Sequence, residues 1–351
     1  MLSIIIGFVV FWVFARKLQL SKSIVPAVAI GLSVFISCVH LTLPPENNLR
    51  VALGGSLEPW ALLISIFLVV YFYREILKRI RSLSIKNTQE IKSHHSSEIS
   101  FSDVELDRYS RHMIMREIGG LGQKKLKSAS VLVVGAGGLG SPVLQYLSAA
   151  GIGTIGIIDD DVVDQSNLQR QVIHNDHSIG LPKVFSAQKA IEDQNPYIKV
   201  KPYNRRLSRD IASELLSEYD IIIEGSDNFE TRYLVNEVAK SLSKVVVSGA
   251  LSQWEGQIMV FDHSLNSPCY QCIFPEKPAA GLAPTCAEAG VFSALPGVIG
   301  TLMAAEAIKH ILDVGNGLNG VMLIYDATQA ETRSIKVNKA TDCRICANGT
   351  V

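Results

Sequence analysis

Four cysteines at two matched spacings are the residues of this chain with the most definite chemistry. Cys269-Tyr270-Gln271-Cys272 and Cys343-Arg344-Ile345-Cys346 form two CxxC hooks far apart in the sequence. Four thiolates arranged in this way make a closed tetrahedral zinc site. With no open coordination position the metal is structural, and it ties the C-terminal part to the middle of its domain. Two redox dithiols or two disulfides would show the same spacing, and both suit a cytoplasmic domain less well. Cys38 falls in an apolar run, where burial accounts for it.

A second group of residues points to a nucleotide. Gly135-Ala136-Gly137-Gly138-Leu139-Gly140 follows the apolar run Val131-Leu132-Val133-Val134 and precedes a helical pattern, so the glycines lie where a helix N-terminus receives phosphate. Asp159 ends the next strand, beside the ribose. A nicotinamide enzyme would fit this far. Arg170, within Asn167-Leu168-Gln169-Arg170-Gln171, and Lys183 add cations that NAD does not need. A nucleotide losing pyrophosphate does need them, to neutralise the charge that develops. Glu224-Gly225-Ser226-Asp227-Asn228 ends a further strand at the carboxyl edge of the sheet, which places Asp227 to hold Mg²⁺ on the phosphates. An N-cap role at the helix starting with Phe229 is compatible with that. His112, His174, His177 and His310 have no ligand spacing and read as structural or solvated.

Alternating elements must position these groups. Strands are expected over residues 131–134, 154–159, 199–203, 220–224, 245–248, 257–262, 321–325 and 332–337. Helices are expected over 142–150, 183–193, 209–218, 229–241 and 300–312. The alternation predicts an α/β fold, Rossmann-like, with a mainly parallel sheet and helices on both faces. Ser102 and Glu105 form a capping-box signature ahead of Leu106, Tyr109, Met113 and Ile114, so a helix carrying Arg111 opens this domain.

The chain has 351 residues, 48% of them hydrophobic, and zero formal net charge, so the overall balance gives no reason to expect a nucleic-acid partner. Three apolar runs, residues 2–15, 23–43 and 60–73, crowd the N-terminus. The middle one is long enough to span a bilayer, and the other two need their flanks or a thinned bilayer. Arg74, Lys78, Arg79, Arg81 and Lys86 follow the third run, which by the positive-inside rule puts the rest of the chain in the cytoplasm. A signal peptide is the other reading of the first run, but it has neither a basic start nor a small-residue cleavage site. The expected organisation is a membrane region of two to three transmembrane helices over 1–81, a polar linker over 82–102 and a catalytic domain over 103–351. The protein is then multi-pass in an inner or plasma membrane.

Arg111, the glycine loop, Asp159, the Asn167 to Gln171 segment, Pro182-Lys183, Ser226-Asp227-Asn228 and the two hooks together resemble the MoeB/ThiF family of ubiquitin-activating-type adenylyltransferases. The likeness covers about residues 103–351 and leaves the membrane segments outside. It implies transfer of AMP from ATP to the C-terminal glycine of a small ubiquitin-like sulfur-carrier protein ending in two glycines, with release of pyrophosphate. The pathway would be molybdopterin or thiamine biosynthesis, with molybdopterin favoured. It also implies ATP, Mg²⁺ and zinc as cofactors. ATP would contact Gly138, Asp159, Asn167, Arg170, Lys183 and Asp227, and Arg111 would reach the nucleotide of a partner subunit in a homodimer. Cys286 resembles the family cysteine proposed to link covalently to the carrier or its sulfur; otherwise it is a small loop residue. Members with a fused rhodanese domain run further than Val351, so a separate protein is expected to donate sulfur. Alternatives are adenylylation of a tRNA-borne carboxylate on the same fold, a membrane-tethered binding platform without turnover, and a nicotinamide dehydrogenase, for which no hydride-transfer acid or base can be named.

Overall fold

The computed structural model describes residues 38–53, 100–265, 267–279 and 286–346, with isolated positions 31, 35, 65, 72, 73 and 79. The chain divides into two compact units, Met1–Ser97 and Glu98–Val351. In the first, a short helix Asn48–Ala52 is capped by the Asn47 side chain, which accepts from the Leu49 N–H. Of the three apolar runs read as membrane helices, the first lies outside the described residues, and so does most of the other two. Among the described residues one helix, Leu295–Leu312, has the length and apolarity of a membrane span, and half of it is buried within the second unit. It is a core helix.

The second unit opens with α1 (Asp103–Arg108) and α2 (Ser110–Ile114). The Ser102–Glu105 capping box is present, but the expected single helix is two short ones. The break falls at Tyr109 (φ −97°, ψ 7°). Its ring is buried, and its hydroxyl accepts from Asn195 Nδ2 at 2.9 Å, so a tertiary bond and burial fix the residue where local propensity would have continued the helix. After α3 (Gly119–Ser128) come β1 (Ser130–Val134), α4 (Gly140–Ala150), β2 (Thr154–Ile158), α5 (Lys183–Gln194), β3 (Lys199–Tyr203), α6 (Arg209–Ser217), β4 (Ile221–Glu224), α7 (Phe229–Ser241), β5 (Val245–Leu251) and β6 (Glu255–Asp262). Two four-residue helices, α8 (Tyr270–Ile273) and α9 (Cys286–Ala289), precede α10 (Leu295–Leu312), β7 (Val321–Asp326) and β8 (Glu331–Lys336). Pro296 lies in the first turn of α10, where a missing N–H costs nothing, so the helix starts earlier than the expected Gly300.

The eight strands form one sheet in the order β3-β2-β1-β4-β5-β6-β7-β8. Pairings from β3 through β5 are parallel, and those from β5 through β8 are antiparallel. The sheet is therefore mixed. Its parallel half reverses direction of progress between β1 and β4, which opens a crevice at their carboxyl ends.

Strand periodicity explains why helices cover both faces. Val131 and Val133 pack with Ile155, Ile157, Ile221 and Ile223 against α4, α5 and α10, while Leu132 and Val134 pack with Ile222 and Phe261 against α6 and α7. Alternate side chains of β1 thus enter two separate cores, and a strand buried on both faces must be continuously apolar, as Val131 to Val134 is.

Candidate functional site

The crevice between β1 and β4 leads into a cavity of about 1010 Å³. Gly138, Asp159, Asn167, Arg170, Lys183 and Asp227 all line it. They come from five loops and helix starts, gathered at one edge because the parallel strands end there.

The glycine loop is shaped by contacts that only glycine permits. Gly135 has φ +95°, and a Cβ on Gly140 would lie 1.9 Å from the Gly135 carbonyl oxygen. The loop leads directly into the N-terminus of α4, whose unpaired N–H groups and dipole favour an anion. Asp159 follows β2 immediately. One of its carboxylate oxygens accepts from the Ala136 N–H at 2.7 Å and the other from the Asp161 N–H at 2.8 Å. The carboxylate is thereby tied to the glycine loop. Burial raises its pKa, outweighing the Lys183 charge and the two N–H bonds, which lower it.

Lys183 is the first residue of α5 and is only 4% exposed. A cation at that end opposes the helix dipole. Its Nζ donates to Asp161 Oδ2 at 2.7 Å, and that carboxylate is itself well exposed. The ammonium is therefore held buried by one carboxylate that can be displaced, an arrangement suited to a cation that must meet an incoming phosphate. Arg170 is half-buried, and among the described residues its guanidinium donates to the Ser166 carbonyl alone, at 3.2 Å. His174 lies buried behind the glycine loop. Its Nε2 lies 2.9 Å from the Ala136 carbonyl, which can only accept, so Nε2 carries the proton and Nδ1 accepts from Ser186 Oγ at 2.8 Å. Burial lowers its pKa. It is a strut between the glycine loop and α5.

Among the described residues, those on either side of Asp227 are held by hydrogen bonds, and its carboxylate is not. Gly225 N–H donates to the Val134 carbonyl, and Ser226 N–H and hydroxyl both donate to Glu224 Oε1. The Ser226 carbonyl accepts from Arg232 at 2.6 Å. Asn228, not Asp227, caps α7, accepting from the Thr231 N–H at 2.9 Å. Asp227 is exposed and lines the cavity with its oxygens available, the donor type that Mg²⁺ takes. Nothing in the spacing marked Glu224 or Arg232, which form a buried pair 3.4 Å apart beneath this loop. The available signal is Glu224, a charge at the end of the apolar run Ile221–Ile223; Arg232 lies in a helix with other charged residues and carries none. Gln171, from the Asn167 to Gln171 segment, also lines the cavity, and Arg205 and Arg206 do so unanticipated.

Arg111 is exposed on α2 and does not line the cavity of its own chain. Cys286 begins α9.

The two hooks meet. Sγ–Sγ separations are 3.8 Å for Cys269–Cys272, 3.7 Å for Cys269–Cys343 and 3.6 Å for Cys272–Cys346. A tetrahedron with metal–sulfur bonds of roughly 2.3 Å has edges of roughly 3.8 Å, so the four thiols fit zinc without rearrangement. Cys269, Cys343 and Cys346 are buried. Burial pushes the Cys269 thiol up, so without a cation it stays neutral. Bound zinc would supply a cross-link between the two hooks, with the four cysteines as its ligands.

Fold and site together define a nucleotide-binding α/β domain with a closed cysteine cluster. The sequence matches the ThiF family over residues 109–345, and the chain belongs to that family. A sulfur carrier protein adenylyltransferase from Thermus thermophilus is 49% identical over 248 residues, covering 70% of this chain and 92% of that one. The SAMP-activating enzyme E1 of Haloferax volcanii is 44% identical, covering 72% and 93%. A probable adenylyltransferase/sulfurtransferase MoeZ of Mycobacterium tuberculosis is 46% identical over 68% of this chain, which spans 62% of its length. Among solved structures, E. coli MccB with ATP superposes with a TM-score of 0.59 at 23% identity over 69% of this chain and 75% of that one, a likeness of fold.

Proposed function

We propose that this protein transfers AMP from ATP to the C-terminal glycine carboxylate of a small ubiquitin-like sulfur-carrier protein and releases pyrophosphate. It is an adenylyltransferase, as its named relatives are. The observation that carries the reading is the gathering of Lys183, Arg170, Asp159 and Asp227 around one cavity at the glycine loop. A carboxylate oxygen of the carrier attacks the α-phosphorus. A new P–O bond forms, the bond to the β-phosphate oxygen breaks, and the electron pair leaves with pyrophosphate. Both partners are anionic, so the protein's task is to hold them in line and neutralise charge, with no covalent protein nucleophile. Asp159 orients the ribose, while the α4 N-terminus, Arg170 and Lys183 face the phosphates. Asp227 would hold Mg²⁺ on them, and the metal would neutralise phosphate charge.

Further parts of this reading concern assembly. Arg111 stands exposed and apart from its own cavity, as a residue serving the nucleotide of a second copy must, and the protein is read as a homodimer. The apolar runs and the basic residues after Tyr73 are the grounds for a multi-pass membrane region with the enzyme domain in the cytoplasm. A separate sulfur donor completes the scheme, in molybdopterin or thiamine biosynthesis. Cys286 is the residue proposed to link covalently to the carrier or its sulfur.

The test is isotopic pyrophosphate exchange by purified protein with ATP, Mg²⁺ and candidate carriers ending in two glycines. Exchange that depends on such a carrier and falls at least tenfold in Asp227→Ala is expected. Exchange undiminished in that variant would refute the site, and absence of exchange with every carrier would refute the function.

A further inference from the structure

Helix α7 touches both chemical centres of the domain through one face. Arg232 and Asn236 are four residues apart and therefore stacked on the same side. Arg232, 8% exposed, donates through one nitrogen to the Ser226 carbonyl at 2.6 Å and to the Gly249 carbonyl at 2.9 Å. Its other terminal nitrogen lies 3.4 Å from Glu224 Oε2, which also accepts from Ser248 Oγ at 3.0 Å. This guanidinium fixes the loop that presents Asp227. One turn on, Asn236 is 3% exposed and reaches the first hook. Its Oδ1 accepts from the Tyr270 N–H at 2.9 Å, and its Nδ2 lies 3.7 Å from Cys269 Sγ as a donor.

The hook reaches back to the cavity as well. Tyr270, adjacent to Cys269, lines the nucleotide cavity, and its ring packs edge-on against Tyr233 of α7 with centroids 5.3 Å apart. Both the backbone and the ring of Tyr270 are thus positioned by α7. An amide donor to a sulfur is strengthened when the sulfur is a metal-bound thiolate, because hydrogen bonds to charged acceptors are roughly twice as strong as neutral ones. Occupancy of the cysteine cluster therefore changes how firmly Asn236 is held, and α7 carries that difference to Arg232 and the Asp227 loop.

From this geometry we infer that Asn236 is a positioning residue linking the cysteine cluster to the nucleotide cavity, so that zinc and ATP bind each other's conformer preferentially. The inference rests on the nucleotide reading given above. Binding free energies are reciprocal: the factor by which zinc tightens ATP equals the factor by which ATP tightens zinc. One titration therefore reads the linkage without turnover and without requiring a zinc-free fold.

The full chain is loaded with zinc and titrated with a zinc-selective chromogenic chelator, with and without saturating MgATP. In the native chain MgATP is expected to tighten zinc about fivefold or more. In Asn236→Asp, which keeps the acceptor for the Tyr270 N–H and loses the donor to Cys269, the factor is expected to fall below twofold. Asn236→Ala, lacking both bonds, should behave likewise; should it fail to fold, Asn236→Asp alone decides. Equal tightening in the native and Asn236→Asp chains overturns the linkage, as does a factor below twofold in the native chain. A native chain that fails to bind MgATP in direct titration instead overturns the nucleotide reading on which the linkage rests.

Discussion

The nucleotide cavity and the cysteine cluster are built on opposite principles. In the cavity the groups proposed to meet the nucleotide are under-committed: Asp227 is exposed, the Arg170 guanidinium holds one carbonyl, and Lys183 is paired with a single exposed carboxylate. In the cluster four thiols already stand at metal-binding separations, three of them buried. The first is ready to exchange partners and the second to keep them. Both draw precision from neighbours that do no chemistry, Glu224 and Arg232 in one case and Asn236 in the other. An open site therefore still needs a rigid frame.

The largest effect separating the two regions should come from Cys343→Ser. Three thiolates and a hydroxyl cannot close the tetrahedron, so metal analysis should show loss of the stoichiometric zinc, with a lower thermal midpoint. Unchanged zinc would mean that the cluster is not the metal site. Lys183→Ala should act in reverse, lowering pyrophosphate exchange roughly 100-fold or more with little loss of stability, because Asp161 is left exposed to water rather than buried. A large fall in the thermal midpoint would show that this lysine serves folding.

The smallest effect is a pH dependence. The unfolded His174 imidazole takes up a proton near pH 6.5, whereas burial means the folded one does so only at lower pH. Between those values the unfolded chain binds more protons. Stability contributed by neutral His174 is therefore lost as pH falls from about 6.5 through that window, by no more than roughly 1.4 kcal/mol per pH unit for one proton. Denaturant midpoints at pH 7 and pH 5 should converge in His174→Gln relative to the native chain. An identical pH slope in both would assign the effect elsewhere.

The groups whose gathering was legible in the sequence are those whose proposed chemistry demands a residue type at a fixed spacing. The two CxxC hooks, the glycine loop, Asp159, Lys183 and Asp227 belong to that class, and the alternating apolar pattern located the strands. The silent residues act through three-dimensional partners. Arg232 matters because Ser226, Gly249 and Glu224 surround it, and no local pattern announces three such partners. Tyr109 breaks a helix because Asn195 holds its hydroxyl, and Asn228 takes the cap because its own backbone is extended. The antiparallel half of the sheet was hidden for a related reason: strand direction depends on the route of the connections, which periodicity does not record.

Strand β8 shows what the cluster means for the sheet. All six of its residues are exposed, and it pairs on one side only, with β7, so it is the strand most prone to peel away. Its continuation ends in Cys343 and Cys346, which lie against Cys269 and Cys272. The strand is thus pinned by a hairpin at its start and by sulfur beyond its end. With zinc held by the four cysteines, opening of this edge would require release of the metal as well as loss of the ladder hydrogen bonds, so the weakest edge of the domain would open as one unit with the cluster.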